Sequence, residues 1–197
     1  LVLSFFGKSS HASQPENGHN PARAISKLII DIPELTARED HRGIVMATVV
    51  CVRIGEEAFG TNAGFGQLML TIRAEFESEL DALDAEICAR ARAYARQDGI
   101  TNVEIQYRDS FPETRNTPDA VAAVRKARLE CGLPEARWDE PFRSSEDFGC
   151  YTKLTSGALF YIGCGTRHAK LHTREYDFND EIIEPAVDMM FRLAQDA

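Results

Sequence analysis

The sequence lacks the features of several protein classes. Its net charge is −9, so a nucleic-acid-binding surface, which needs clustered Lys and Arg, is not expected. No apolar run approaches the ~20 residues that a membrane-spanning helix needs. The chain starts at Leu1, and its first residues form neither the charged region nor the cleavage site of a signal peptide. The alternative is a leader that has already been removed. We therefore expect a globular chain with no nucleic acid or membrane as partner.

The sequence also lacks the cysteine patterns of disulfide-rich and zinc–thiolate proteins. The five cysteines are odd in number and form no C-x-x-C pair, which indicates neither a disulfide framework nor a zinc–thiolate site. The simplest interpretation is a cytoplasmic protein with reduced thiols. Its 197 residues, 44% apolar, can bury a core and suffice for one or two domains.

The first half alternates strand and helix patterns. Asn20-Pro21 is a typical helix start, with Asn as N-cap and Pro at the first helical position. The apolar periodicities predict strand, helix, strand, strand, helix, strand, at residues 2–6, 20–35, 44–54, 67–76, 80–98 and 103–107. This order is that of a ferredoxin-like β-α-β-β-α-β domain, an antiparallel four-stranded sheet with two helices on one face. We predict an α+β fold whose first domain spans residues 1–110.

The second half, residues 111–197, has a different pattern. We predict a helix from Thr117-Pro118, a helical turn at 146–151, a short buried strand at 158–162 and a final helix with Pro185 in its first turn. One strand and two helices cannot close a core, because a parallel sheet needs several neighbours covered on both faces. We interpret this half as the end of a larger α/β domain whose beginning is absent.

Two histidines near the end of the chain are candidates for metal binding. His172 follows a glycine turn and precedes an acidic run, where a neutral imidazole could bind zinc or simply lie on the surface. His168 would complete H-x-x-x-H, but Ala169 replaces the glutamate of the metalloprotease motif. We therefore predict a solvated His168.

Each of the other polar candidates could have a catalytic or binding role, or only a structural one. His11, in a loop of small polar residues, could donate to an oxyanion or merely occupy a turn. Arg73 could hold a substrate carboxylate through its bidentate fork or only solubilise the sheet. Asn62 could donate to a carbonyl oxygen, although Asn also favours turns. Glu146 and Asp147 could bind a metal or act as a base, but a helix N-terminus is the commoner setting for such a pair.

Several stretches, in this order, resemble one enzyme family. They are G-x-x-x-H-A-x-x-P followed by G-x-N-P, the T-I-R strand, and finally S-E-D-F and L-H-T-R-E-Y-D-F-N-D. The set resembles the dinuclear-zinc aminoacylase/carboxypeptidase family, in the subgroup of hippurate hydrolases and auxin-conjugate amidohydrolases. The resemblance implies a lid or dimerisation domain in residues 1–110 and the C-terminal part of a zinc-peptidase catalytic domain in residues 111–197.

The resemblance also implies roles for single residues. In that family two zinc ions polarise an amide carbonyl and generate hydroxide, with a Glu as general base. His172 matches the last zinc ligand, and His11 matches the lid histidine that reaches the active site of the partner subunit. Arg73 and Asn62 fall in the lid region that contacts substrate, although residues 61–67 depart from the family's Asn-x-x-Pro pattern. The other metal motifs of the family are not found in this sequence.

We therefore expect the parent protein to be a homodimeric zinc-dependent amidohydrolase acting on an N-acyl amino acid or small peptide-like amide. One ligand cannot build a zinc site, so this chain alone is expected to bind no stoichiometric zinc and to be inactive. One alternative is a non-catalytic ferredoxin-like dimerisation module. Another is a regulatory ligand-binding domain of the same fold, which leaves residues 171–180 unexplained.

Overall fold

The computed structural model describes residues 1–136, 138, 140–166 and 168–195. The chain divides into two compact units, Leu1–Ser110 and Phe111–Ala197. The architecture is mixed α/β with a small sheet in the first unit. In chain order the elements of that unit are β1 (Val2–Phe6), β2 (Ser10–His11), α1 (Ala22–Thr36), β3 (Val45–Ile54), β4 (Thr61–Asn62), β5 (Phe65–Ala74), α2 (Glu77–Gln97) and β6 (Asn102–Gln106).

The main sheet of the first unit is antiparallel, with strand order β3-β5-β1-β6. The central strand β1 pairs with both β5 and β6, so β3 and β6 are the two edges. Side chains along β5 alternate between the two faces of the sheet. Leu68 and Leu70 are buried in the core. Gln67 lies on the opposite face and donates to the Ser4 hydroxyl at 3.0 Å.

Helices α1 and α2 pack against each other and against the sheet. Each buries residues spaced three or four apart, as an amphipathic helix does. The buried residues of α1 are Ala24, Ile25, Leu28, Ile32 and Leu35, and those of α2 are Leu83, Ile87, Cys88, Ala91 and Ala95. Helix α1 begins one residue later than predicted, with Pro21 rather than Asn20 at the N-cap. The Asn20 side chain still accepts a hydrogen bond from the Ala22 amide at 2.8 Å.

The second unit is built mainly from helices. Its elements are α3 (Pro118–Glu130), α4 (Gly149–Thr152), a 3-10 turn (Asp180–Ile182) and α5 (Ile183–Gln195). Helices α3 and α5 pack together, and Pro118 and Pro185 both lie in first turns, where a missing amide proton breaks no helical hydrogen bond. None of the described helices is both long and apolar enough to cross a membrane.

The strand predicted at residues 158–162 is wrong, because the structure assigns none there. A strand is defined by its ladder partners, and this segment is held instead by side-chain and loop contacts. The Asn116 side chain donates to the Leu159 backbone carbonyl and accepts from the Leu159 backbone amide, both at 2.9 Å. The Thr117 backbone amide donates to the Gly157 carbonyl at 2.9 Å. The Asn116 side chain thus forms the pair of hydrogen bonds that one residue of a neighbouring strand would form.

Candidate functional site

His11 lies on a short ribbon beyond one end of the main sheet. Strands β2 and β4 pair antiparallel, with His11 opposite Thr61 and Ser10 opposite Asn62. The Ala12 amide donates to the Gly60 carbonyl at 2.9 Å. Main-chain bonds on both sides therefore fix the backbone from which the imidazole projects.

The ribbon is closely packed beneath His11. A Cβ atom at Gly18 would lie 2.6 Å from the Ser10 hydroxyl and 2.7 Å from the Asn62 amide nitrogen, so only glycine fits there without a shift. The glycine of the G-x-N-P segment thus lets the loop before α1 close over the base of the ribbon.

The Asn62 side chain forms hydrogen bonds to the loops around His11. Its side-chain oxygen accepts from the Asn20 side chain at 2.8 Å, and its nitrogen donates to the Ser10 hydroxyl at 3.0 Å and to the Pro15 carbonyl at 3.4 Å. The amide therefore ties the His11 ribbon to the start of α1. A role for Asn62 in binding substrate stays a prediction, and these contacts give the residue a structural task.

The His11 ring is oriented by a residue two positions further on. Its Nδ1 atom lies 3.1 Å from the Ser13 amide nitrogen and 2.7 Å from the Ser13 hydroxyl. An amide can only donate, so Nδ1 accepts and the ring proton of the neutral imidazole belongs on Nε2. An exposed imidazole with an Nε2 proton is a ready hydrogen-bond donor to an oxygen that gains negative charge.

Arg73 lies at the other end of the same sheet. It pairs with Met46 of β3 near the last residue of β5, whereas the His11 ribbon adjoins the Phe65 end. At ~3.3 Å per residue, β5 extends about 26 Å from Phe65 to Arg73. The structure therefore brings His11 and Asn62 together and keeps Arg73 away from both, so one small substrate cannot touch His11 and Arg73 of the same chain.

His172 lies in the second unit with an unusual backbone. It is exposed, with φ at 65°, in a turn closed by the Thr173 amide donating to the Lys170 carbonyl at 3.2 Å. A positive φ is uncommon for residues other than glycine, but Asn, Asp and His are enriched there in turns. The backbone of His172 is thus that of a turn histidine and does not by itself indicate a function.

Other polar side chains of the second unit also bear on metal binding. His168 lines a hollow of about 430 Å³ together with acidic residues such as Glu175 and Asp177. In the part of the chain that the structure describes, no group of three or more His, Cys, Asp or Glu side chains could hold a metal ion. Among the described residues, His172 therefore belongs to no such group.

The S-S-E-D-F-G segment forms a helix start. Glu146 and Asp147 are exposed, and the Asp147 carbonyl accepts from the Cys150 amide at 2.9 Å as α4 begins. A Cβ atom at Gly149 would lie 2.6 Å from the Glu113 carbonyl oxygen, which explains the glycine by close backbone approach. Both carboxylates precede Phe148, the N-cap of α4, so the first turn of this helix contains no acidic residue.

The fold of this chain is shared with solved structures. The structure matches that of an aminobenzoyl-glutamate utilization protein from Klebsiella pneumoniae with a TM-score of 0.74 and 19% identity, over 99% of this chain and 47% of that one. The likeness identifies the fold and nothing more.

The family is established by sequence. Residues 11–196 match the model of peptidase family M20/M25/M40, and the chain belongs to this family. It is 26% identical to an N-acetyldiaminopimelate deacetylase of Bacillus licheniformis over 96% of the chain, and 23% identical to a hippurate hydrolase of Campylobacter jejuni over 98%. In both cases it spans 50% of the relative's length. The resemblance seen in the sequence is therefore confirmed.

Sequence reasoning missed Ser13. The H-x-S spacing was visible, and serine commonly bonds to groups two residues away. Only the turn, however, directs both its amide and its hydroxyl to the same ring nitrogen.

Proposed function

We propose that the parent protein is an amidohydrolase that cleaves an N-acyl amino acid or a small peptide-like amide. Relatives named for deacetylating N-acetyldiaminopimelate and for hydrolysing hippurate support this substrate class. The observation that carries the proposal is the His11 ring, held by Ser13 as an outward donor at the point where the family match begins. In this role His11 stabilises the negative charge that develops on the carbonyl oxygen during amide cleavage.

In this proposal residues 1–110 form a ferredoxin-like lid and dimerisation domain, and residues 111–197 form the C-terminal part of the catalytic domain. The strand order β3-β5-β1-β6, with two mutually packed helices against the sheet, supports the first part. The boundary between the two compact units after Ser110 supports the division. Free cysteines, one of them the exposed Cys150, fit a reducing cytoplasm.

We further propose a homodimer that pairs through β3. This edge strand is ten residues long and exposes Val50 by 59% and Val52 by 41%. Next to it α1 exposes Ile30 by 69%. Long apolar edge strands are templates for pairing with another chain. In a two-fold dimer each subunit would present this same patch to the other.

Sedimentation tests the dimer. Replacing both Val50 and Val52 with Lys is expected to give a monomer, because like charges would then face each other across the axis. Gln106→Lys, on the opposite edge strand, is the control and should leave the dimer intact. A native chain that remains monomeric at high concentration would contradict the proposal.

The shared geometry suggests how the two subunits cooperate. His11 and Arg73 lie at opposite ends of the sheet, so a substrate that contacts both must take them from different subunits. We propose that Arg73 holds the substrate carboxylate at the site of its own subunit while His11 serves the partner's site.

We propose two zinc ions in the parent enzyme, with His172 as one ligand. The described part of this chain does not complete a metal site, so the remaining ligands would come from elsewhere in the parent protein. The test compares this chain with the full-length gene product for zinc content and for hydrolysis of hippurate and acetyl-amino acids. Zinc and turnover only in the longer protein would support the proposal. Stoichiometric zinc with turnover in this chain alone would contradict the expectation that the chain is inactive. If neither protein binds zinc or hydrolyses these substrates, a non-catalytic dimerisation module is favoured.

A further inference from the structure

We propose that Ser13 is a positioning residue that sets the tautomer and direction of the His11 ring. The inference rests on the proposed function, in which His11 acts as a hydrogen-bond donor to substrate. The two contacts from Ser13 to Nδ1, at 3.1 Å from the amide and 2.7 Å from the hydroxyl, carry it.

The arrangement of donors determines where the proton lies. The Ser13 amide has a proton to give and no lone pair to offer, so it can meet Nδ1 only when Nδ1 is unprotonated. Under that condition the Ser13 hydroxyl also donates to Nδ1. A neutral imidazole free in solution can carry its proton on either nitrogen, and the partner of one nitrogen decides the state of the other.

The surrounding turn keeps Ser13 in place. The Gln14 amide donates to the His11 carbonyl at 2.9 Å, which closes a tight turn over residues 11–14. The His11 backbone is itself paired with Thr61 in the ribbon. Ring and donor are therefore parts of one small rigid unit rather than two independent side chains.

The tautomer matters for the proposed chemistry. An oxygen that gains negative charge is stabilised by an N–H group and repelled by a ring lone pair. If the proton moved to Nδ1, the outward nitrogen would present its lone pair to that oxygen. Ser13 thus acts on catalysis through His11 without touching the substrate.

The first experiment measures the tautomer directly. Nitrogen-15 NMR of the His11 ring in this chain, recorded where the ring is neutral, should show an unprotonated Nδ1 and a protonated Nε2. Ser13→Ala keeps the amide and removes the hydroxyl, so we expect partial loss of this single-tautomer signature. Ser13→Thr should restore it. Gln14→Ala is the control in the same loop, because the Gln14 side chain accepts from Asn17 while the bonds to the ring come from Ser13.

Two outcomes would overturn the inference: a protonated Nδ1 in the native chain, or identical ring signals in the native chain and in Ser13→Ala.

A second experiment separates this inference from the proposed function. In the full-length gene product, Ser13→Ala should lower kcat by about tenfold with little change in KM, because a donor that is misplaced still leaves substrate binding intact. If the ring signals change but His11→Ala retains full kcat, the tautomer control stands and the catalytic role of His11 fails. If His11→Ala is inactive and Ser13→Ala alters neither signals nor kcat, the positioning role fails alone.

Discussion

The Nδ1 atom of His41 lies 3.0 Å from Oε2 of Glu79, while Nε2 of the same ring lies 2.7 Å from the Leu35 carbonyl oxygen. Both partners are acceptors, so both ring nitrogens donate only when His41 is an imidazolium. The contact joins the last turn of α1 to the first turn of α2. The neighbouring charged groups are Arg38 and Arg42, with Arg38 acting against the positive charge.

This contact predicts a dependence of stability on pH. The Leu35 carbonyl and Glu79 raise the pKa of His41 above 6.5, and the bond from His41 lowers the pKa of Glu79 below 4.5. The contribution of His41 is complete below pH 6.5 and is lost as pH rises through its raised pKa, whereas that of Glu79 is lost on acidification. Urea unfolding should therefore show the pair at full strength between pH 4.5 and 6.5.

The variant His41→Gln should lose stability most within that range and approach the native chain at higher pH. His168→Gln, an exposed histidine, is the control and should not alter the pH profile. An unchanged difference between His41→Gln and the native chain from pH 5.5 to 9 would contradict the prediction.

The backbone of His172 gives a second prediction. A residue with a Cβ atom in the left-handed region is strained by roughly 1–2 kcal/mol, and glycine removes this strain at a similar cost in unfolded-chain entropy. We expect His172→Gly to change the free energy of unfolding by less than about 1 kcal/mol, and His172→Val to destabilise more, since a β-branched residue fits this region worst. Urea unfolding of the two variants measures the difference.

The same variant tests the proposed ligand role. In the full-length gene product His172→Gly should abolish hydrolysis although the turn is preserved. Full activity in this variant would reduce His172 to a turn residue.

Burial predicts which apolar residues support the fold. Leu28 of α1 is fully buried, so Leu28→Ala should lower the free energy of unfolding by about 2–5 kcal/mol. Val187 of α5 is 60% exposed, and Val187→Ala should cost no more than about 0.5 kcal/mol in this chain. Urea unfolding measures both, and a loss above about 1 kcal/mol at Val187 would mean that another surface covers this helix face.

The sequence was most informative where periodicity is long. Strand β1 has the predicted bounds, and α1, β5 and α2 begin or end within two or three residues of them, because their apolar stripes face a core contained in the first unit. The apolar run at residues 158–162 was misleading, since alternation or hydrophobicity cannot show whether a strand has a neighbour to pair with.

The sequence named the candidate residues one by one but did not predict their arrangement. His11 and Asn62 are brought together by two-residue strands, which are too short to leave any periodic pattern. The bonds from Ser13 depend on the geometry of one turn. The distance to Arg73 follows simply from the length of β5 once the strand is known.

Arg73 provides a prediction for substrate binding. In the full-length gene product Arg73→Met should raise KM for substrates that carry a carboxylate by about tenfold to a hundredfold, because a charge-assisted bidentate pair contributes roughly 1.5–3 kcal/mol. The change in kcat should be smaller. Arg92→Met is the control, since Arg92 is exposed on α2 and lies outside both the proposed dimer strand and the β5 face that carries Arg73. Equal effects of both changes would indicate general electrostatics rather than a carboxylate contact.

The separation of His11 from Arg73 predicts complementation between two impaired variants, assayed at substrate concentrations well below the native KM. If each site takes His11 from one subunit and Arg73 from the other, a dimer of one His11→Ala subunit and one Arg73→Met subunit contains one site with both defects and one intact site. Unfolding and refolding an equal mixture of the two full-length variants should then restore about a quarter of native activity, because half of the dimers are mixed and each has one good site. Each variant refolded alone is the control and, at the same low substrate concentration, should retain no more than about a tenth of native activity. No recovery in the mixture, with mixed dimers verified by mass, would mean that His11 and Arg73 do not serve one substrate across the subunit interface.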